Sequence, residues 1–368
     1  MKILITGSSG FIGKNLFYKL ISKRKYEIFE FNKKNSLLEL EKFIKLSDVI
    51  FHFAGVNRGK NKNDFKVSNL ELTNKIVKTL NLKKKKTKLI FSSTNLIEKK
   101  ENSIYSKSKL QAESLIKKNL SKIHSYKILR LPNIFGKWSR PNYNSVVATF
   151  CYNISRNKPI KILENKNIQF MYIDDLIDYL IKLLNFKASI KNIKTYQCKI
   201  NTLAKKIHDI KKNRYVMLKN FSNSQFNKYL YSTYLTYIPN DKITYKLNSN
   251  NDIRGNFIEL FKYPSAGQIS YFTVNPHSSR GGHYHNTKVE KFFLVSGNVE
   301  FSLYNLDTKK IKIIKLNSKE NKILETIPGY VHTIKNKSRT IAKGIIWSNE
   351  IYNKKKPDTI YYNQNEKS

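Results

Sequence analysis

Three groups of residues combine reactive side chains with spacings that could put them to use. Tyr105-Ser106-Lys107-Ser108-Lys109 places a phenol at i and an ammonium at i+4, on one face of a helix. An ammonium beside a phenol lowers the phenol's pKa, so Tyr105 is expected to exchange a proton near neutral pH, with Lys109 tuning it. Gly7-Ser8-Ser9-Gly10-Phe11-Ile12-Gly13 sets three glycines between an apolar run and a helical pattern. Glycines let a backbone turn tightly and approach a pyrophosphate, which the N–H groups of a helix N-terminus then hold. Further along, His283 and His285 flank Tyr284, Glu290 follows, and Pro328-Gly329-Tyr330-Val331-His332 adds a third imidazole. Three His and one Glu suit Zn²⁺ or another divalent transition metal. Each group has a plain alternative. A Tyr-x-x-x-Lys arises by accident, a glycine turn can simply join a strand to a helix, and Glu290 and His332 can be ordinary barrel-mouth residues.

The surrounding pattern decides how these residues are carried. Residues 2–6, 26–31, 49–53, 88–91 and 126–131 read as strands. They alternate with helical stretches at 11–21, 37–44, 70–80 and 106–119, and helices follow at 144–155 and 174–185. That rhythm means βαβ units and a parallel sheet. The glycine turn therefore follows the first strand and opens the first helix, and the pair Ser93-Thr94 closes the fourth strand at the carboxyl edge where α/β sites lie. After about residue 240 the texture becomes short strands separated by turns, at 256–262, 268–274, 291–296, 298–304, 310–315, 322–326, 331–334 and 341–347. This is the signature of an all-β sandwich or barrel. A chain of 368 residues favours two domains, here 1–243 and 244–368. His283 and His285, two apart on a strand, then point to one face.

The end of the second strand bears on the dinucleotide. A 2′-hydroxyl is usually held there by Asp or Glu, but this chain has Asn32-Lys33-Lys34, so a 2′-phosphate and NADPH are expected. The plain alternative is that Lys33 and Lys34 are two among sixty lysines.

Composition excludes several classes. The net charge of +43 comes from 69 basic residues, only nine of them Arg, spread along the whole chain. Nucleic-acid sites favour Arg for bidentate contacts, and the densest run, Lys83–Lys86, sits in a turn, so no nucleic-acid partner is expected. The charge could still steer an anionic substrate. No apolar run reaches the roughly 18 residues of a membrane helix, and the start lacks a signal-peptide core, so a cytoplasmic protein without membrane insertion is expected. Cys151 and Cys198 read as buried thiols.

Taken together, Gly7/Gly10/Gly13, Phe53-Ala54-Gly55, Thr94, Tyr105, Lys109 and Tyr172-Ile173-Asp174-Asp175 resemble the extended short-chain dehydrogenase/reductases. The resemblance implies a Rossmann domain holding NAD(P) along Gly7, Ser9, Gly10, Phe11, Ile12, Gly13, Asn32, Lys33, Ala54 and Gly55, with Tyr105 and Lys109 also touching it. It makes Tyr105 the general acid of carbonyl reduction, Lys109 its partner on the nicotinamide ribose, and Thr94 the hydrogen-bond donor to the substrate oxygen, with Ser93 in reserve. Only ten residues separate Thr94 from Tyr105, fewer than in many members. The second half is similar to the cupins through His-x-His-x₄-Glu-x₆-Gly and Pro-Gly-x-x-His-x₃-Asn, which implies a jelly roll with metal ligands His283, His285, Glu290 and His332.

Asp252-Ile253-Arg254-Gly255 and Arg280-Gly281-Gly282-His283 also resemble the cupin sugar-nucleotide 3,5-epimerases. There the arginines, here Arg254 and Arg280, bind the nucleotide diphosphate and the His matching His283 is a base. We assign His283 to the metal. The order of the two halves, with stretches such as Arg130–Trp138 (including Asn133, a substrate contact by resemblance), resembles the bifunctional capsular-polysaccharide enzymes of UDP-N-acetyl-L-fucosamine biosynthesis. That family implies C3 epimerisation of a UDP-2-acetamido-2,6-dideoxy-4-hexulose in the cupin domain, NADPH reduction at C4 in the Rossmann domain, and a homodimer. The alternative is a single-function NADPH-dependent 4-ketosugar reductase whose cupin domain only binds or dimerises.

Overall fold

The computed structural model describes residues 1–59, 61–99, 103–185, 193–214, 224–263 and 266–362. It divides into two compact units, Met1–Asp209 with Ser224–Pro239, and Ile210–Asn223 with Asn240–Ser368.

The first unit begins with β1 (Lys2–Thr6), α1 (Phe11–Ile21), β2 (Glu27–Phe31), α2 (Leu37–Leu46) and β3 (Val49–His52). A short α3 (Lys62–Phe65) runs through a π-helical turn, Lys66–Glu71, into α4 (Leu72–Asn81). Then come β4 (Lys88–Thr94), α5 (Ile104–Asn119) and β5 (Ser125–Leu131). The five strands pair in the order β2-β1-β3-β4-β5, all parallel. The parallel sheet predicted from the alternation is thus present. Helix 70–80 is present too, but its start is a π turn, a local widening that the apolar period does not encode. Buried on both faces, the strands read as nearly continuous apolar runs. Leu4, Ile50, Leu89 and Phe91 form one core with Leu40 and Ile44 of α2, Ile76 and Leu80 of α4, and Ala112 and Ile116 of α5. Capping fixes the helix starts: Ser36 and Glu39 form a reciprocal capping box on α2, and the Ser103 hydroxyl accepts from Ser106 N at the start of α5. A small second sheet of β6 (Asn133–Phe135), β7 (Asn167–Tyr172) and β8 (Tyr196–Lys199) accompanies α6 (Val146–Ser155), α7 (Ile173–Lys182), α8 (Ile200–Asn213) and α9 (Gln225–Leu235).

The second unit is all-β and antiparallel. One sheet holds β9 (Ser249–Asp252), β10 (Gly255–Tyr263), β11 (Gly267–Val274), β13 (Glu290–Ser296), β16 (Ile323–Glu325) and β18 (Ala342–Ser348). The other holds β12 (Ser279–Tyr284), β14 (Asn298–Asn305), β15 (Ile311–Asn317), β17 (Tyr330–Lys335) and β19 (Ile360–Tyr361). Their inner faces meet in a core of Phe272, Phe292, Leu294, Phe301, Leu303 and Ile334. All eight strands read from the apolar runs are present. The runs do not show β12, whose Arg280-Gly281-Gly282 carries no apolar alternation and whose two glycines adopt φ +103° and +72°. His285 lies one residue beyond the end of β12, so the single strand expected to carry both His283 and His285 ends between them. Among the described residues, no helix is long and apolar enough to cross a membrane.

Phe301 is fully buried where the two β-sheets meet. Phe301→Ala should cost the all-β unit about 3–5 kcal/mol of stability. Denaturant unfolding followed by Trp347 fluorescence, in a Trp138→Phe background, measures it.

Candidate functional site

The carboxyl ends of β1, β2, β3 and β4 share one edge, as parallel pairing requires. The strand order turns back between β1 and β3, and crevices for ligands open at such points. Gly7 lies there with φ +71°, and a Cβ on it would come within 2.7 Å of Ala54 N. Only glycine lets the two loops close so tightly. Gly7 N donates to Phe31 O at 2.7 Å, tying the turn to the end of β2 beside Asn32. Gly10 caps α1 without any side-chain hydrogen bond, and the first turn carries no acid, so its N–H groups stay available to an anion. The Ser8 hydroxyl is buried there without a partner. Ser9, Phe11, Ile12 and Gly13 complete the turn. Asn32 Oδ1 accepts from Lys34 N at 3.0 Å in a local turn that leaves Lys33 exposed. These residues fit a dinucleotide.

A relay of side chains holds the floor of this cradle. Thr73 Oγ1 donates to Asn69 O (2.6 Å) and so accepts from His52 Nε2 (2.9 Å). His52 Nδ1 then accepts from Thr6 Oγ1 (2.7 Å), and Thr6 Oγ1 accepts from Ala54 N (3.2 Å). Burial pushes the His52 imidazole down to about 3, with the Lys109 charge adding to the effect. Asn69 bonds both the N and O of Val56 and donates to Ser108 Oγ at 2.9 Å, linking the cradle to α5. Gly55 has to be small, since a Cβ there would meet Asn69 Oδ1 at 2.5 Å and Lys109 Nζ at 3.3 Å.

α5 places Tyr105, Lys109 and Glu113 on one face. Lys109 is buried, donates to Ser92 O at 2.9 Å and lies 4.7 Å from the Phe91 ring centre. Burial lowers its ammonium to about 8, against the opposing pull of Glu113. Burial favours the neutral form of Glu113 but is outweighed by Arg130, whose Nε and Nη2 donate to its two oxygens at 3.0 and 2.7 Å, so its carboxyl lies below the usual range. The phenol of Tyr105 moves opposite to the sequence expectation. Burial pushes it up to about 12, so the phenol stays protonated at neutral pH rather than poised to ionise there. Thr94 is buried at the end of β4, its Oγ1 accepting from Leu96 N at 3.3 Å. Ser93, one residue earlier, faces the other way, toward Glu113. Asn133 is exposed at the start of β6.

In the second unit, His283, His285, Glu290 and His332 bring one ligand atom each to within 4.8 Å of one another. β12 pairs with β17 so that His283 stands opposite His332, and β13 begins at Glu290. Glu290 Oε2 lies 3.6 Å from His285 Nε2 and 3.4 Å from His332 Nε2, while Lys288 Nζ lies 2.6 Å from Oε1. Burial favours the protonated acid, yet these partners hold the Glu290 carboxyl well below the usual range. Burial, then the neighbouring imidazoles, pushes His283 down to about 3, which leaves it neutral and able to ligate. Buried His285 Nε2 faces Glu290 without a hydrogen-bond partner, as expected of an atom that serves a cation. The four residues fit a divalent metal with N₃O ligation.

His283, Glu290 and His332 open into a cavity of about 370 Å³ that Arg254, Arg280 and Lys288 also line. Asp252 holds both guanidiniums, accepting from Arg254 Nη2 at 2.6 Å and Arg280 Nη2 at 3.2 Å. Sequence reasoning missed Asn69, His52 and Glu113, each of which acts through a partner distant in the chain.

Comparison with known proteins places these sites in a family. Residues 3–198 match the NAD dependent epimerase/dehydratase family, and residues 250–360 match the polysaccharide biosynthesis C-terminal domain. The chain belongs to the NAD dependent epimerase/dehydratase family, whose cofactor class is the nicotinamide dinucleotide that the glycine cradle fits. Over its whole length it is similar to the UDP-2-acetamido-2,6-beta-L-arabino-hexul-4-ose reductase of Pseudomonas aeruginosa, with 36% identity over 365 residues and 98% of each chain covered. It is equally similar to the capsular polysaccharide assembling protein CapF from Staphylococcus aureus, with 34% identity, a TM-score of 0.90, and 98% of this chain and 99% of that one covered. The UDP-glucuronic acid 4-epimerase from Bacillus cereus, in complex with NAD, shares the fold at 21% identity and a TM-score of 0.52, over 64% of this chain and 98% of its own.

The His52 pKa of about 3 against an ordinary 6.5 carries a pH prediction. Between these values the unfolded chain binds a proton that the folded chain refuses, so stability falls as pH falls. From pH 7 to pH 4.5 this one group should remove roughly 2–3 kcal/mol. Denaturant unfolding at both pH values should show a loss smaller by that amount in His52→Gln than in the native chain.

Proposed function

We propose that this chain is a bifunctional UDP-sugar enzyme of capsular or O-antigen polysaccharide biosynthesis. The second unit, read as a cupin, epimerises C3 of a UDP-2-acetamido-2,6-dideoxy-4-hexulose. The first unit reduces C4 with NADPH to a UDP-2-acetamido-2,6-dideoxy-talose, on the route to UDP-N-acetyl-L-fucosamine. The observation that carries this reading is the pairing of two buried sites in one chain, each suited to a different atom of the same ketone. The activity for which the P. aeruginosa relative is named supports the substrate class.

The order of the steps follows from carbon acidity. The C3 proton can leave only while C4 is a carbonyl that takes up the charge, and reduction removes that carbonyl. Arg254 and Arg280, preset by Asp252, hold the diphosphate. His283, His285, Glu290 and His332 would hold a divalent metal, with Zn²⁺ as the expected ion. When bound, such a metal polarises a carbonyl oxygen and acidifies the neighbouring C–H. In the first unit, Tyr105 donates a proton to the C4 oxygen as hydride arrives from reduced nicotinamide, and the pKa near 12 keeps that proton in place until charge develops. Lys109 supplies the positive charge behind Tyr105 and reaches the nicotinamide ribose. Thr94 orients the oxygen, and Asn133 contacts the sugar. Lys33 and Asn32 accept the 2′-phosphate. From the family resemblance we infer a homodimer.

Two variants separate the halves. On the 4-keto UDP-sugar in D₂O, Tyr105→Phe should lower NADPH oxidation by 10²–10⁴-fold, the share a general acid supplies, and leave deuterium uptake at C3 intact. His332→Ala should abolish that uptake while NADPH oxidation on pre-epimerised substrate persists. Unchanged turnover in His332→Ala would leave a single-function reductase with a non-catalytic second unit.

A further inference from the structure

The chain segment after β18 returns across the cavity, and Asp358 in it is held more firmly than a surface acid needs. The Asp358 carboxylate accepts from the backbone N–H groups of Asn286 (3.0 Å), Thr287 (2.8 Å) and Lys288 (2.9 Å). It also accepts from Asn286 Nδ2 at 3.1 Å. Its backbone carbonyl accepts from His285 Nδ1. Partial burial opposes ionisation, but the backbone donors prevail and hold the carboxyl far below the usual range. One residue therefore grips three successive positions, Asn286 to Lys288, of the loop that joins His285 to Glu290.

We propose that Asp358 is a positioning residue for the metal site, a clasp that sets both the tautomer and the loop on which the ligands depend. This rests on the metal reading given above. The carbonyl bond places the proton of His285 on Nδ1 and leaves the Nε2 lone pair facing Glu290 and His332, the arrangement in which an imidazole ligates. The carboxylate pins three successive N–H groups, which fixes the chain path from His285 to Lys288. Lys288 in turn pairs with Glu290. β19 anchors the clasp, pairing with β12 at His283 and Tyr284, and Tyr362 N donates to Gly282 O at 3.0 Å. The ligands come from three separate strands and a loop, and Asp358 joins that loop to the strap.

The test is Zn²⁺ affinity of the metal-stripped full chain, by competition with a chelating dye, together with amide exchange. Asp358→Ala removes the carboxylate that pins the loop and so loosens the carbonyl's hold on His285; it should bind Zn²⁺ about 10–100-fold more weakly, the usual effect of disturbing a ligand's orienting contacts. Exchange at Asn286, Thr287 and Lys288 should accelerate while the core strands β11 and β14 keep their protection, a local signature that general destabilisation would not produce. Asp358→Asn, which keeps the side-chain shape and one acceptor oxygen, should fall between and covers the case in which the alanine variant fails to fold. Native affinity in both variants, or exchange that accelerates throughout the sheets, overturns the clasp. A native chain that takes up no Zn²⁺ overturns the metal reading and the clasp with it, so the two failures are distinguishable.

Discussion

An ionisable group taken out of water must be given partners in the fold, or it gives up its charge. Both sites are organised by this constraint. Lys109 is buried in the first unit and Glu290 in the second, and each keeps its charge only through neighbours fixed by the sheet around it. Lys109 has Ser92 O and the nearby Glu113, and Glu113 is itself held by Arg130 of β5. Glu290 has Lys288 and two imidazoles. The residues named as reactive are therefore the visible ends of longer chains of contact. Removing an inner link leaves a buried charge unpaired, which costs more than the contact itself contributes.

This also explains why the two sites sit where the backbone changes course. In the first unit, the crevice between β1 and β3 brings Gly7 against Ala54 and sets His52 under both, so the cradle and α5 share one floor of Thr6, His52, Thr73 and Asn69. In the second unit, β12 carries two glycines at positive φ and a register shift between Gly281 and His283. A regular strand would pass the side chains alternately to either face. The irregular one presents His283 beside His332, with ring centres 4.5 Å apart.

Much of this was legible in the chain. Apolar strands followed by helices announced the parallel sheet, and the runs after residue 240 announced the antiparallel sheets, because burial on two faces or on one leaves a period in the sequence. The glycine turn, Tyr105 with Lys109, and the His and Glu spacing were legible because each is local. The Tyr105 pKa was not. A Tyr and a Lys four apart suggested a lowered phenol, but the depth at which α5 sits against β4 decides the sign, and depth is a tertiary property. Ser93 was legible as a hydroxyl but not as one facing Glu113 rather than the crevice. Asp358 left no local trace, since its partners lie some seventy positions earlier in the chain.

The positions of the two arginines bear on how the cavity of the second unit is used. Asp252 binds Arg254 through a hairpin turn and Arg280 across it, so the guanidiniums converge before any anion arrives. Arg280 is mostly buried and also donates to Thr273 O at 2.8 Å, which leaves its remaining N–H groups directed by the fold. Arg254 is more exposed, with 46% of its side chain accessible, but Asp252 holds it through both Nε and Nη2. Two preset guanidiniums side by side suit the diphosphate of the proposed substrate. The same Asp252 keeps the paired positive charges from repelling one another in the meantime. On the proposed function, binding energy from the nucleotide end would then be available to hold the sugar against the His and Glu cluster.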